Sequence, residues 1–417
     1  MNKSPKPKIL GQSLRVSAAI GVSLILLIAV GGIAYLRYFV NNKLSPLVAK
    51  ELSQLINRPV EIGSVKSFSL TGLRIGASAL PASQEDPDLA TVPEVSVAYN
   101  PLLLLSTRTL NLDITLINPE LYVEQDQAGN WLQLKLKTKP DSSGPIKIHL
   151  DNIRIRNASL VLVPNPQKRA KLMAVGNLAA KTPPPAPVAI RKLNGKAEFS
   201  NQQKQVNYEV TGQPDSGGVV NIQGESLLQS PLRTKIFIRG TDLAAKPIMP
   251  LIPNVPIEAY SGQIDCNLGI ELEETEVLSW QGTAGFKNIT GQLAGLQKGI
   301  SGASGILKFR ELAVDLDNTV AIYGQLPLRL AGSIDTESEY NLSIEIPPAN
   351  QEQFIKTLDL EIPVPVMAEA AGDLRVTGAL NNPILSGVVA TTKTSRIDLV
   401  DFSKIRAEFK IENDILT

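Results

Sequence analysis

Aliphatic and polar residues alternate over most of this chain, and that period of two is what most constrains its fold. In TLNLDITLINP, Leu110, Leu112, Ile114 and Leu116 fall on one side of an extended strand, and Asn111, Asp113 and Thr115 on the other. In ELYVEQDQAGNWLQLKLK, Leu132, Leu134 and Leu136 follow turn residues at Gly129 and Asn130. The pattern continues through PIKIHLDNIRIRNASLVLV and LRTKIFIRG. It returns in QIDCNLGIELE, with Ile264, Leu268, Ile270 and Leu272 in phase, and in YNLSIEIP, with Leu342, Ile344 and Ile346. At the usual strand length, about 20–25 strands are expected, so the fold class is mainly β.

Composition narrows the function. Hydrophobic residues make up 43% of the 417, yet aromatics only 5%, so the apolar content is aliphatic. The net charge of +1 lacks the basic excess of a nucleic-acid binder. There is one Cys and one His, so zinc sites and Cys- or His-dependent triads lack their partners. Cys266 is in phase with Ile264 and Leu268 and reads as a small apolar residue on a buried face. His149 is out of phase with Ile148 and Leu150 and reads as solvent-side. Glu271 and Glu273 alternate with Leu272, which makes them a solvated strand face before an acid/base pair. GISGASG (299–305) has no Lys and no helix after it, so it is not a phosphate loop. No enzymatic activity, metal or cofactor is expected.

The N-terminus reads differently. Residues 17–36, SAAIGVSLILLIAVGGIAYL, carry no charge and are long enough to cross a bilayer as a helix. Lys3, Lys6, Lys8 and Arg15 precede them, which puts the basic tail 1–16 in the cytoplasm and the remainder across the membrane. A cleavable signal peptide is the competing reading. The long apolar run, followed at once by YLRYF, favours a retained anchor. Ser45 can then cap a helix with Pro46 at its first position, and Leu47, Val48, Leu52, Leu55 and Ile56 on one face. A Pro-rich connection at 181–189 divides a first β region (44–180) from a second (190–417). Within the second, helical or irregular inserts at 241–256 and 350–363 mark a repeat. Ile238 corresponds to Ile346 and Gly262 to Gly372, separations of 108 and 110 residues.

Alternation leaves one face apolar. A second sheet, helices, or a ligand held in one curved sheet could cover it. Helical segments after the first are too few for the second option. GDLRVTGALNNPILSGVV (372–389) reads as a strand, a turn at Asn381-Asn382-Pro383 and a returning strand, with Gly372, Gly378 and Gly387 permitting bends.

That stretch, together with SGASGILKFRELAVDLDNTVAIYGQLPLRLAGSIDTESEYNLSIEIP, resembles the repeat of TamB-type proteins. These are inner-membrane components of the translocation and assembly module, within the AsmA-like superfamily. The likeness is greatest to the cyanobacterial and chloroplast inner-envelope branch. It is carried by Gly302, Gly305, Phe309, Asp317-Asn318-Thr319, Tyr323-Gly324, Leu326-Pro327-Leu328, Gly332, Leu342, Gly378, Pro383 and Gly387. The stretches INRPVEIGSV and LTGLRIG resemble the start of such proteins. The resemblance implies a transmembrane helix followed by an elongated, curved antiparallel β-groove built of repeats. It implies an inner-membrane anchor, a periplasmic body, and phospholipid carried between the inner and outer membranes. Its alternative is a scaffold for outer-membrane protein assembly beside an outer-membrane barrel partner. The in-phase aliphatics named above are the candidate groove lining. The chain stops at FKIENDILT in mid-pattern and is expected to be an N-terminal portion of a longer protein.

Overall fold

A computed structural model describes Ser53, Trp131 and three longer stretches: 58–126, 147–165 and 186–416. Within these, residues 84–85, 101–102, 104–105, 108, 202–203, 253–256, 275, 294–295, 336–337, 381 and 413–414 are left out. The apolar span 17–36, nearly all of the helix expected from Ser45, the Gly129-Asn130 turn and residues 132–140 lie outside the described residues. No helix among the described residues is long and apolar enough to cross a membrane.

The fold is mainly β: one elongated open sheet, not closed into a barrel. It begins with β1 (Val65–Ser69), β2 (Gly72–Ile75), β5 (Glu94–Tyr99), β6 (Thr109–Ile117) and β8 (Lys147–Val163), each paired with the next. Strand order then follows the chain through β9 (Val188–Ser200), β10 (Gln205–Pro214), β11 (Val219–Leu227), β12 (Arg233–Ala244) and β13 (Ile257–Glu273). It continues through β14 (Glu276–Leu293), β15 (Ile300–Glu311), β16 (Ala313–Tyr323), β17 (Leu326–Asp335) and β18 (Glu339–Asn350). β20 (Glu369–Ala379), β21 (Ile384–Thr391) and β24 (Arg406–Glu412) extend it to the short β25 (Ile415–Leu416). A separate small sheet holds β19 (Val366–Met367), β22 (Ser395–Ile397) and β23 (Val400–Phe402). From β1 to β24 there are seventeen inter-strand steps, so the sheet runs roughly 80 Å at about 4.8 Å per step.

One detail corrects the expectation. The sheet is not wholly antiparallel: β6 and β7 (Glu120–Glu124) both run parallel to β8. The long connection between β7 and β8 lets the chain return to the start of its neighbour, as a parallel pair requires. The sheet also crosses the Pro-rich connection without a break, because β9 begins at Val188 and pairs with β8 from Asn152 to Leu162.

Nearly every strand as far as β16 is interrupted at one level. β6 stops and β7 starts across Asn118-Pro119, with Asn118 at φ 52°. β2 and β3 (Ser78–Leu80) are split at Gly76-Ala77, and β4 (Leu89–Val92) and β5 at Pro93. Farther along, single left-handed residues bulge the strands: Asn157 at φ 53°, Lys192 at 50°, Asp242 at 53°, Asn288 at 51° and Asn318 at 48°. Gly262 and Gly302 serve β13 and β15. Asn and Asp tolerate this region far better than branched residues do. In three bulges a side chain on the next strand receives the freed N–H. Asn157 N–H donates to Asn194 Oδ1 at 3.0 Å, Asp242 N–H to Asp265 Oδ1 at 2.8 Å, and Asn288 N–H to Ser304 Oγ at 3.0 Å.

These bulges make a crease. The apolar sides of the two halves close on each other along it. Ala158, Ile190 and Leu193 beyond the bulges pack on Ile155 and Val210 before them, and Ala259, Ile289, Ile300 and Ala303 pack on Ile264 and Phe286. Two inserts leave the sheet at the same rim and fold in against this line. The first is α1 (Ala245–Ile248) with a 3-10 turn at Met249–Leu251; its Ala245 is fully buried. The second is α2 (Gln351–Leu358), started by a capping box between Asn350 and Gln353. Phe354 packs with Leu326, Ile346 and Ala349, and Gln325 N–H donates to Thr357 Oγ1 at 2.9 Å. The elements before α1 and α2 carry Ile238 and Ile346, and those after them carry Gly262 and Gly372, the four residues that mark the repeat in the sequence.

Replacing Asn288 by Val forces a branched residue into the left-handed region and is expected to cost about 1–3 kcal/mol in urea unfolding, whereas Asn288→Gly should stay within about 0.5 kcal/mol. The bulge also carries a pH signature. The Asp242 N–H and then Lys287 hold Asp265 below its ordinary value of 3.8. Its contribution is therefore present above that value and lost as pH falls through the lower folded one. The urea midpoint gap between wild type and Asp265→Asn should narrow on acidification from about pH 6 to about pH 3.

Candidate functional site

Register places most of the aliphatic positions on one face. From Leu116 the partners run Ile155, Gly195, Val210, Ile222, Ile238 and Leu268. From Leu268 they run Gly282, Phe309, Val314, Ile334 and Tyr340. This single row links three segments whose aliphatics alternate independently in the sequence. A second row, nearer the crease, reads Gly212, Val220, Gly240, Cys266, Ala284 and Leu307, then Leu316, Gly332, Leu342, Val376, Leu385 and Ile411. Farther from the crease, Tyr208, Gly224, Ile236, Ile270 and Trp280 form a third, and Val206, Ser226, Thr234 and Leu272 a fourth.

The candidate lining residues can now be placed. Leu112, Ile114 and Leu116 face Leu150, Ile153 and Ile155 on one side and Tyr99, Val97 and Val95 on the other. Leu110 pairs with Ile148. Leu268, Ile270, Leu272, Leu342 and Ile344 lie on the same apolar side, half-buried. Ile264 and Ile346 belong to the packed line inside the crease, and Ile346 is buried. Leu132, Leu134 and Leu136 lie outside the described residues. The sequence reading did not single out Val97, Val210, Ile222, Leu307, Leu316 or Val376, although each keeps the alternation of its own strand.

Small residues set the relief of this face. A Cβ on Gly224 would sit 2.4 Å from Tyr208 Cζ, so the tyrosine ring lies across the glycine of the next strand. A Cβ on Gly240 would meet Leu243 Cδ1 at 2.5 Å and Cys266 Sγ at 2.9 Å. Burial pushes the Cys266 thiol up. Trp280 stacks edge-on against Phe309 with ring centroids 5.1 Å apart.

The reverse face carries cross-strand charge pairs, with exposed Phe237 and Ile306 among them. Lys235 Nζ meets Glu271 Oε1 at 2.8 Å, Arg233 Nε meets Glu273 Oε2 at 2.9 Å, and Arg329 Nη1 meets Glu345 Oε1 at 3.1 Å. Glu271 and Glu273 are thus held by cations on the neighbouring strand. Such exposed, solvent-screened pairs add little to stability. His149 pairs with Asn111 on this side. Among the described residues no cluster of His, Cys, Asp or Glu could hold a metal ion.

Comparison with known proteins matches only part of the chain. It is 32% identical over 100 residues to Protein TIC236, chloroplastic, of Arabidopsis thaliana. It is 28% identical over 98 residues to Protein SUBSTANDARD STARCH GRAIN 4, chloroplastic, of Oryza sativa subsp. japonica. Each match covers 24% of this chain and 5% of the relative, so the chain spans a small fraction of the length of the curated proteins it resembles. No family model matches, and no solved structure does. The two relatives support the TamB/AsmA-like superfamily at the level of partial similarity.

Cys266 should react with a disulfide reagent more slowly than a free cysteine at about pH 8, because it is half-buried and its thiolate is disfavoured. Gly240→Val should remove that difference or cost more than about 2 kcal/mol in unfolding, since its side chain must displace Leu243 and Cys266.

Proposed function

We propose that the apolar side of the creased sheet is a trough for acyl chains, and that the protein carries phospholipid between the two membranes of an envelope. The observation that supports this reading is the unbroken apolar row from Leu116 to Tyr340, with no second sheet across it among the described residues. Each CH₂ kept from water is worth about 0.8 kcal/mol, so a continuous apolar path lowers the cost of moving a lipid tail step by step. No reaction is needed, and no catalytic group is assigned. The charge-paired reverse face suits an aqueous compartment, and residues 17–36 would anchor the trough in the inner membrane with the N-terminus cytoplasmic. The chloroplastic relatives fit an envelope setting of this kind.

A second reading is a scaffold for outer-membrane protein assembly beside a barrel partner. It draws on β1, which pairs on one side only among the described residues and can accept another strand along Val65–Ser69.

A photo-crosslinking amino acid at Ile114 and Ile270, with Thr115 and Glu271 as controls on the reverse face, separates the two. Phospholipid adducts at the first pair alone are expected. Adducts to protein at every position, and to lipid at none, would move the assignment to the scaffold.

A further inference from the structure

The two inserts on the crease are held differently. In α1, Ala245 is fully buried with Ala259, Ile289, Ile300 and Ala303, and Met249 after it packs on the same group. In α2 only Thr357 is buried, and none of the helix's apolar side chains is. Phe354 rests half-buried on Leu326, Ile346 and Ala349. From the end of the helix onward, Leu358, Leu360, Ile362 and Val364 alternate with Asp359, Glu361 and Pro363, and each of the four is 39–52% exposed. The polar attachments of α2 are three. Gln325 N–H donates to Thr357 Oγ1 at 2.9 Å, Gln353 Nε2 to the Gln325 carbonyl at 3.0 Å, and Lys298 Nζ to Asp359 Oδ1 at 2.7 Å. The last two are exposed and add little. The ends of the insert are fixed instead. β18 and β20 pair as far as Asn350 and Glu369, Gln351 N–H donates to the Ala368 carbonyl at 2.9 Å, and Val366–Met367 pairs with β22. An eight-residue helix has little stability of its own. Segments with few buried apolar contacts open first, and lids are drawn from them.

We propose that residues 352–364 are a lid: α2 lifts from the crease between the two fixed ends and lets an acyl chain pass from the rim to the apolar face. This inference rests on the trough reading above. What the lid covers is continuous with that face. Leu374 packs on the same group as Phe354 and pairs with Ile344, and one step farther Val376 pairs with Leu342 in the second row. The side chains from Leu358 to Val364 are already wet when the lid is down, so lifting them forfeits little burial. They also give an entering chain an apolar edge to follow. α1, with its buried alanine, stays in place.

Cys266→Ala removes the chain's one thiol. A Cβ on Gly324 would lie 3.2 Å from Thr357 Cβ, near the reach of a disulfide, so Gly324→Cys with Thr357→Cys in that background locks the lid. The full chain is offered phosphatidylcholine vesicles carrying a pyrene-labelled phospholipid. The oxidised chain is expected to load about tenfold more slowly than the same chain reduced. Phe354→Ala with Asp359→Asn loosens the lid without a bridge and should load several-fold faster than the unsubstituted chain. Equal loading by the oxidised and reduced chain, or no gain in the loosened one, overturns the lid and leaves the trough standing. A further measurement needs no lipid. Ile346→Cys puts a thiol under the lid, and its reaction with a disulfide reagent should quicken when Phe354→Ala and Asp359→Asn are added. An unchanged rate overturns the lid. No lipid loaded by the unsubstituted chain overturns the trough and the entrance together.

Discussion

Each strand from β8 to β18 is paired on both sides, and most are interrupted near the same level by a residue in the left-handed region. The rest of the structure depends on this coincidence. One bulge bends one strand, and bulges in register bend a sheet. A ladder of this length without a crease would be a twisted ribbon with one wet apolar side. With it, the apolar sides of the two halves meet, and the buried residues Ala158, Leu193, Leu243, Ile289, Ala303 and Thr319 follow the bulges. The side-chain acceptors Asn194, Asp265 and Ser304 hold the bulges by taking N–H groups that the ladder has lost.

Much of this was legible in the sequence, including more than alternation alone conveys. A bulge moves the apolar phase by one residue. In IRIRNASLVLV the apolar positions are Ile153 and Ile155 before Asn157, and Ala158, Leu160 and Leu162 after it. In FKNITGQL they are Phe286, then Ile289 and Leu293. In LAVDLDNTVAIY they are Val314 and Leu316, then Ala321 and Tyr323. The Asn at each phase shift is the signal of the crease. It is lost when each run is scored separately for its period. Strand type, the tight turn before Ile384 and the two inserts could be read locally, because turn chemistry and capping are local.

What could not be read is pairing. The parallel return of β8 beside β6 and β7 leaves no trace in a period of two, which is the same in either direction. The rows of the apolar face are likewise a property of register. Leu116 and Leu268 belong to one line only because five intervening strands carry it from one to the other. The glycines of the face make sense only in that frame. Gly224 looks like a strand weakness in sequence, and in register it is the space into which Tyr208 reclines.

The crease buries only the inner edge of the apolar side. α1 and α2 are too short to do more: they seal the line beside Ile289 and Ile346 and leave the outer rows half-exposed. A sandwich would have placed a second sheet about 10 Å above those rows. Instead the described chain keeps adding strands to the same sheet. Lengthening a sheet in this way extends its apolar area in step with its length, while the covered fraction stays the same. For an isolated globule that is a poor solution, since large continuous apolar patches on soluble proteins mark interaction sites. For a trough whose contents supply the missing cover, it is the geometry that lets capacity grow without a change of cross-section.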